Sequence, residues 1–260
     1  MSPAEQCVWV IGAGFLGSEL ARVCRNAGVT VLTIDPAAPA DVPGAACHAA
    51  VVQEAAMRGA PAVCFCCMAT AGGNASAYDA CYRRTVQCLV REVPHARVVF
   101  CSSTSVYGVT DGREVTEETR PEAAGSRATV LLQTEQAVLA AGGVVARLAA
   151  LYGAGRCELV RRHMAGEPCL PGRATRTLNY VHVADAAAAL WLLQHAPSGV
   201  YNVCGSSFTK AEAYAHLTRE TGVPQAPTTA PESRRGGTDM RVNVDKLRAL
   251  GWCPRRFFRD

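Results

Sequence analysis

The stretch VIGAGFLGSEL, residues 10–20, limits the fold more than any other part of the chain. The apolar run CVWVIG reads as a buried strand ending at Gly12, and glycines follow at 14 and 17 before a pattern that predicts a helix over about 15–27. Each glycine in this G-x-G-x-x-G spacing has its own task. Gly12 makes the tight turn, Gly14 lets backbone approach a pyrophosphate, and Gly17 lets helix and strand pack closely. The helix start, through Phe15 and Leu16, offers free N–H groups and a partial positive charge to phosphates. The next strand, VTVLTID, ends in Asp35, about where an acidic residue should meet an adenosine ribose. A carboxylate there accepts from both ribose hydroxyls and repels a 2′-phosphate, and the following PAAPA holds no arginine to receive one. NAD is therefore favoured over NADP.

Apolar strands alternate with helical patterns through the first two thirds of the chain. After a weaker segment at 48–52 come PAVCFCCM, a helix through AYDACYRRTVQCLVREV, the strand RVVFCSS, a helix opening at GSRATVLLQTEQ, and GVVARLAALYG. Continuous apolar strands separated by helices predict an α/β fold with a doubly wound parallel sheet covered on both faces. The 260 residues suffice for one such unit with a small appendage. Residues 221–238 read as a surface loop before a last short helix closed by Gly251.

Twenty-six basic against 22 acidic residues give a charge of +4, and the basic clusters at 161–163 and 254–260 are too thin for a nucleic-acid footprint. No apolar run reaches the roughly 18–20 residues of a membrane span. The first residues pass almost directly into a strand with no room for a signal peptide, so a soluble, cytoplasmic protein is expected. The thirteen cysteines then read as reduced thiols. Cys66 and Cys67 should point to opposite faces of a strand, with no histidine at ligand spacing, so no metal site is expected.

Four further stretches carry a family likeness: FCSSTSVYG at 100–108, ARLAALYGAGR at 146–156, RTLNYVHVADAAAAL at 176–190 and VNVDKLRALGW at 242–252. With the glycine motif, they make the chain similar over nearly its whole length to the extended short-chain dehydrogenase/reductases, which include nucleotide-sugar epimerases and dehydratases. The resemblance implies a Rossmann-type core of about 1–155 plus 178–204, and a small interwoven C-terminal substrate lobe of about 156–177 and 205–260. It implies cofactor contacts at Ala69 and Ser102 besides those above. Ser103 would hydrogen-bond a substrate oxygen, and Arg156, Arg173 and Arg176 would stand near a nucleotide-sugar diphosphate. Helices near 76–92 and 127–140 would pair two copies into a homodimer.

The same resemblance implies a tyrosine, eight residues before a Glu-Gln pair, with a lysine four residues after it. Glu135-Gln136 fits the pair, which puts Arg127 at the tyrosine position and Leu131 at the lysine position. No tyrosine lies between Gly108 and Tyr152, so a shift of register restores neither group. Arginine stays protonated at neutral pH and leucine offers neither charge nor donor. Positioned acid–base catalysis contributes roughly 10²–10⁴ in rate, or about 3–5 kcal/mol. The expectation is an atypical NAD(H)-binding member without the usual chemistry, acting as a redox-linked binding module for a small-molecule ligand such as a sugar nucleotide. The alternative is an oxidoreductase or epimerase/dehydratase that uses Ser103 with Tyr107. Tyr82 reads as helix packing, and His182 with Asp185 as a structural turn whose carboxylate caps the next helix. Arg127 is either a clamp for a carboxylate or phosphate on the substrate, or a solvated residue of the first helical turn.

Overall fold

Val8 to Ile11 are almost completely enclosed, as an unbroken apolar run must be in a strand covered on both faces. The computed structural model describes residues 7–37, 39–70, 74–122, 124–153, 155–169, 173–226 and 238–255. β1 (Cys7–Ile11) passes through the glycine turn into α1 (Phe15–Asn26), followed by β2 (Thr30–Asp35) and β3 (Val42–Pro43). The weak segment at 48–52 opens α2 (Ala49–Arg58), which leads to β4 (Val63–Cys66). The predicted long helix is built from α3 (Ala75–Tyr78), one π-helical turn (Asp79–Arg84) and α4 (Thr85–Glu92). β5 (Arg97–Ser103) ends in a 3₁₀ turn (Thr104–Tyr107), and β6 (Glu114–Val115), α5 (Ser126–Ala140) and β7 (Val144–Leu148) follow. The remaining elements are β8 (Ala150–Tyr152), α6 (Glu158–Met164), β9 (Thr177–His182), α7 (Val183–Leu193), β10 (Gly199–Val203), β11 (Ser206–Thr209), α8 (Lys210–Thr221), β12 (Arg241–Val242) and α9 (Asp245–Arg248).

Seven strands form one parallel sheet in the order β3-β2-β1-β4-β5-β7-β10. The chain builds outward from β1 to β3 and then returns to the other side of β1 with β4. The loops leaving β1 and β4 therefore diverge and open a crevice at the carboxyl edge, where open α/β sheets bind ligands. Strand alternation divides the core in two. Val8, Val10 and Phe65 pack under α1 and α7 on one face, while Trp9, Ile11 and Phe100 pack with Leu89 of α4 and Val138 of α5 on the other. Cys64 and Cys66 belong to the second layer and Cys67 to the first, the alternation expected of them. Ala186, Ala187 and Ala189 of α7 lie in the layer of Leu20, Ala21 and Cys24 of α1, and such small side chains let the two helices approach closely.

The small lobe has its own sheet, in which β9 pairs in parallel with β8 and antiparallel with β11. Both β8 and β9 fall within ranges that the sequence assigned to the core. β9 alternates between half-buried and buried residues over Thr177 to Tyr180, and β8 begins exposed at Ala150, which suits a sheet with one covered face rather than a slot inside the main sheet. Tyr152, Leu159, Leu178, Tyr180, Tyr214 and Leu217 form the lobe's apolar centre. The last helix is the short α9, after which Gly251 adopts φ 94. Most of the expected 221–238 loop lies outside the described residues. Among the described residues no helix is long and apolar enough to cross a membrane.

Candidate functional site

The glycine turn sits at the carboxyl end of β1, beside the crevice. Gly12 has φ 92 and donates its N–H to the Ile34 carbonyl at 2.8 Å. A Cβ on Gly12 would come 2.5 Å from Met68, because the loop after β4 crosses directly over it. Ala69 follows on that loop and is exposed at the same edge. A Cβ on Gly17 would overlap the carbonyl oxygen of Gly12. At Gly14 the position of a Cβ faces open space, so a ligand can reach the backbone there. The first turn of α1 has no acidic residue and no side-chain cap, which leaves its N–H groups available. Leu16 is buried, so its side chain packs while only its backbone faces the turn. Asp35 ties β2 to this loop. Its Oδ2 accepts from the Ala13 N–H at 2.7 Å and its Oδ1 from that of Ala37 at 2.8 Å.

A second feature lies farther along the edge, between the main sheet and the small lobe. It is a groove of about 370 Å³ lined by Ser103, Thr104, Ser105, Arg176, Asn179, Tyr180 and neighbours. Ser103 is half-buried and its Oγ accepts from the Ser105 N–H at 3.2 Å. Arg176 is held by a bond from its Nε to the Thr238 carbonyl at 3.1 Å. Asn179 donates to the Met240 carbonyl at 2.8 Å and accepts from Ser207 Oγ at 2.7 Å. Of the three arginines implied for a diphosphate, Arg176 lines this groove, while Arg173 is exposed and 3.9 Å from Asp239.

Behind the groove runs a buried polar network. Ser102, expected at the cofactor, has its side chain turned inward by strand alternation, and its hydroxyl donates to Glu135 Oε1 at 2.5 Å. Glu135 forms a two-pronged ion pair with Arg147, with Nη2 to Oε2 at 2.7 Å and both side chains about 5% exposed. The Arg147 guanidinium lies over the Tyr107 ring, 4.8 Å from its centre. Tyr107 is completely buried and donates to Asn202 Oδ1 at 2.7 Å. Burial pushes its phenol up from the ordinary range, against the opposing influence of Arg147. The hydroxyl points into the core and is not among the groups lining the groove, so the structure places it away from Ser103's exposed side. Two signals for this network stood in the sequence: a lone arginine within VVARL, and a glutamate three and four residues from Val138 and Leu131 on a helix face.

Arg127 lies exposed in the first turn of α5, with its guanidinium 5.4 Å from the centre of the Tyr78 ring. Leu131, one turn on, is buried in the apolar layer. Tyr82 is buried in the π turn, packs edge-on against Tyr78 and Phe100, and accepts from the Thr70 N–H at 3.4 Å. His182 rather than Asp185 caps α7, its Nδ1 accepting from the Ala184 N–H at 3.1 Å. The Asp185 carboxylate instead accepts from the Arg255 N–H at 3.1 Å.

The parallel sheet, with the glycine turn at its edge and a groove beside it, defines an open α/β protein of the dinucleotide-binding kind. The chain belongs to the NAD dependent epimerase/dehydratase family, whose model matches residues 8–204. NAD is that family's cofactor, and the glycine turn, the start of α1 and Asp35 fit it. Solved structures agree in fold. MoeE5 in complex with UDP-glucuronic acid and NAD is 25% identical, with a TM-score of 0.80 and coverage of 98% of this chain and 95% of that one. UDP-glucose 4-epimerase of Thermus thermophilus, in complex with NAD, is 21% identical with a TM-score of 0.82, covering 97% and 95%. The dTDP-glucose 4,6-dehydratase of Bacillus anthracis str. Ames, also with NAD, is 18% identical with a TM-score of 0.81, covering 97% and 93%. No curated protein matches the sequence.

Proposed function

We propose that this protein binds NAD and a nucleotide-sugar-like ligand but does not carry out the tyrosine–lysine proton transfer of its relatives, and works as a redox-linked binding module. The observation that carries this reading is the start of α5. At the two positions that counting back from Glu135-Gln136 assigns to the tyrosine and lysine stand Arg127, resting on Tyr78, and Leu131, sunk in the apolar core. NAD, when bound, supplies a hydride acceptor. Asp35 accepts from its ribose, the N–H groups of α1 hold its pyrophosphate, and Ala69 on the loop after β4 lies close by. Ser103 donates to an oxygen of the second ligand and Arg176 faces its diphosphate. Arg127 is exposed and able to clamp an anionic group, a role that suits a uronic-acid sugar such as the one bound to MoeE5. The Ser102 side chain is assigned to the network with Glu135. Cytoplasmic location and pairing through the helical stretches at about 76–92 and 127–140 belong to the same reading, and sedimentation tests the pairing.

A second reading keeps catalysis, because Ser103 lines an open groove. In it Tyr107 or a group of the substrate moves the proton, although the Tyr107 hydroxyl is already given to Asn202. Calorimetry with NAD and UDP-glucuronic acid, followed by NADH absorbance, separates the two. The expected result is binding with turnover below about 0.1 s⁻¹, given the roughly 10²–10⁴ loss from an ordinary rate near ~10 s⁻¹. The double variant Arg127→Tyr/Leu131→Lys should raise turnover at least about tenfold. An unmodified protein that turns over at ordinary rates would overturn the proposal.

A further inference from the structure

Most exposed arginines here are paired. Arg22, Arg58, Arg91, Arg161 and Arg248 each lie 2.6–3.4 Å from a carboxylate. Arg156 differs. Among the described residues its guanidinium has no carboxylate partner, and it lies over the ring of Phe15, 4.9 Å from the centre. Phe15 is the first residue of α1 and so stands at the cofactor turn, 141 positions away along the chain.

The backbone that presents Arg156 is fixed. Gly153 donates to the Arg156 carbonyl at 3.2 Å and Arg156 donates back to that of Gly153 at 2.6 Å, with Gly153 and Gly155 at φ 145 and 74. A side chain at Gly153 would meet His182, so glycine is what fits where the turn passes β9. The side chain therefore leaves the β8–α6 connection in the direction of α1. Arg156 is not among the residues lining the groove, where Arg176 already stands.

We propose that Arg156 is a clamp for the cofactor's pyrophosphate, a role that rests on the NAD-binding reading of the glycine turn. The start of α1 presents N–H groups and a partial positive charge but no cationic side chain, and its Ser18 hydroxyl is given to the Phe15 carbonyl. A guanidinium fork matches two phosphate oxygens, whereas the face of Phe15 holds the same cation only weakly. The ring keeps the arginine beside the turn until phosphate arrives. Because Arg156 comes from the lobe side, occupation of the turn ties the lobe's first connection to the main sheet.

The test is fluorescence titration of NAD, ADP-ribose, adenosine and UDP against the unmodified protein, R156A, R156K and, as a charge control, R22A. R156A should weaken NAD and ADP-ribose by about tenfold and leave adenosine and UDP unchanged. R156K should recover part of the loss, and R22A should show none. An R156A affinity for NAD within twofold of the unmodified protein, or a loss that falls on UDP instead, overturns the clamp and leaves the cofactor reading intact. An unmodified protein that binds no NAD removes both. Arg156 is exposed, so R156A should keep its melting temperature; if it does not, R156K alone decides, with equal NAD affinity counting against the clamp.

Discussion

The ends of β1 and β5 stand on the same edge of the same sheet and have fared differently. At β1 the binding features are made of backbone: a turn, a close approach and the open N–H groups of α1. They depend on the absence of side chains at Gly12, Gly14 and Gly17. At β5 the proposed reading rests on side chains projected from a neighbouring helix, where Arg127 and Leu131 of α5 would replace the titratable pair without moving the strand. A site built from backbone is lost only with the fold. A site built from two titratable side chains can go while the fold and the binding remain.

That contrast can be broken at its strong end. Gly17→Val puts side-chain atoms into the Gly12 carbonyl, so NAD binding should vanish and the melting temperature should fall by up to about 10 °C. Retained binding, read by titration, would mean that the close helix–strand contact is dispensable. A lesser effect sharpens the other end. Glu135→Gln leaves the Arg147 charge buried without its partner, and urea denaturation should report a loss of about 3–5 kcal/mol. The molecules still folded should bind NAD as before; a tenfold loss of affinity would join the buried network to the cofactor site. The smallest change is expected from Tyr107→Phe, which strands Asn202 Oδ1 at a cost of about 1–3 kcal/mol. Residual NADH turnover should be unchanged by it. A turnover that disappears would assign the acid–base role to this phenol.

Most of the main sheet was readable because β1, β4, β5 and β7 are largely apolar runs and the glycine spacing fixed where the first turn goes, whereas β3 has two residues, too few to read as a strand. Ser103 was placed facing the groove, and alternation then requires Ser102 to face inward, although by family likeness it was expected at the cofactor. Its partner is 33 positions away on α5, and nothing near Ser102 in the chain announces it. Tyr107 illustrates a different gap. A 3₁₀ turn rotates the chain just after the strand, so nearness to Ser103 in sequence did not mean a shared face. The second sheet escaped notice because β8 has three residues and β11 four, too few for a period to declare itself. The Arg156–Phe15 contact joins a loop to a helix start across the cleft, and pairings of that kind carry no local pattern.

Strand order has a consequence for how the protein is made. β7 waits for β10 as its outer neighbour, and the intervening stretch contains β8, α6, β9 and α7. On the ribosome, the hydrogen-bonding rim of β7 stays bare until residue 203 has emerged, a template that a chaperone or a second nascent chain could occupy. A chain truncated before residue 199 would keep that rim permanently, so the main sheet is finished only by a strand that follows the first half of the lobe.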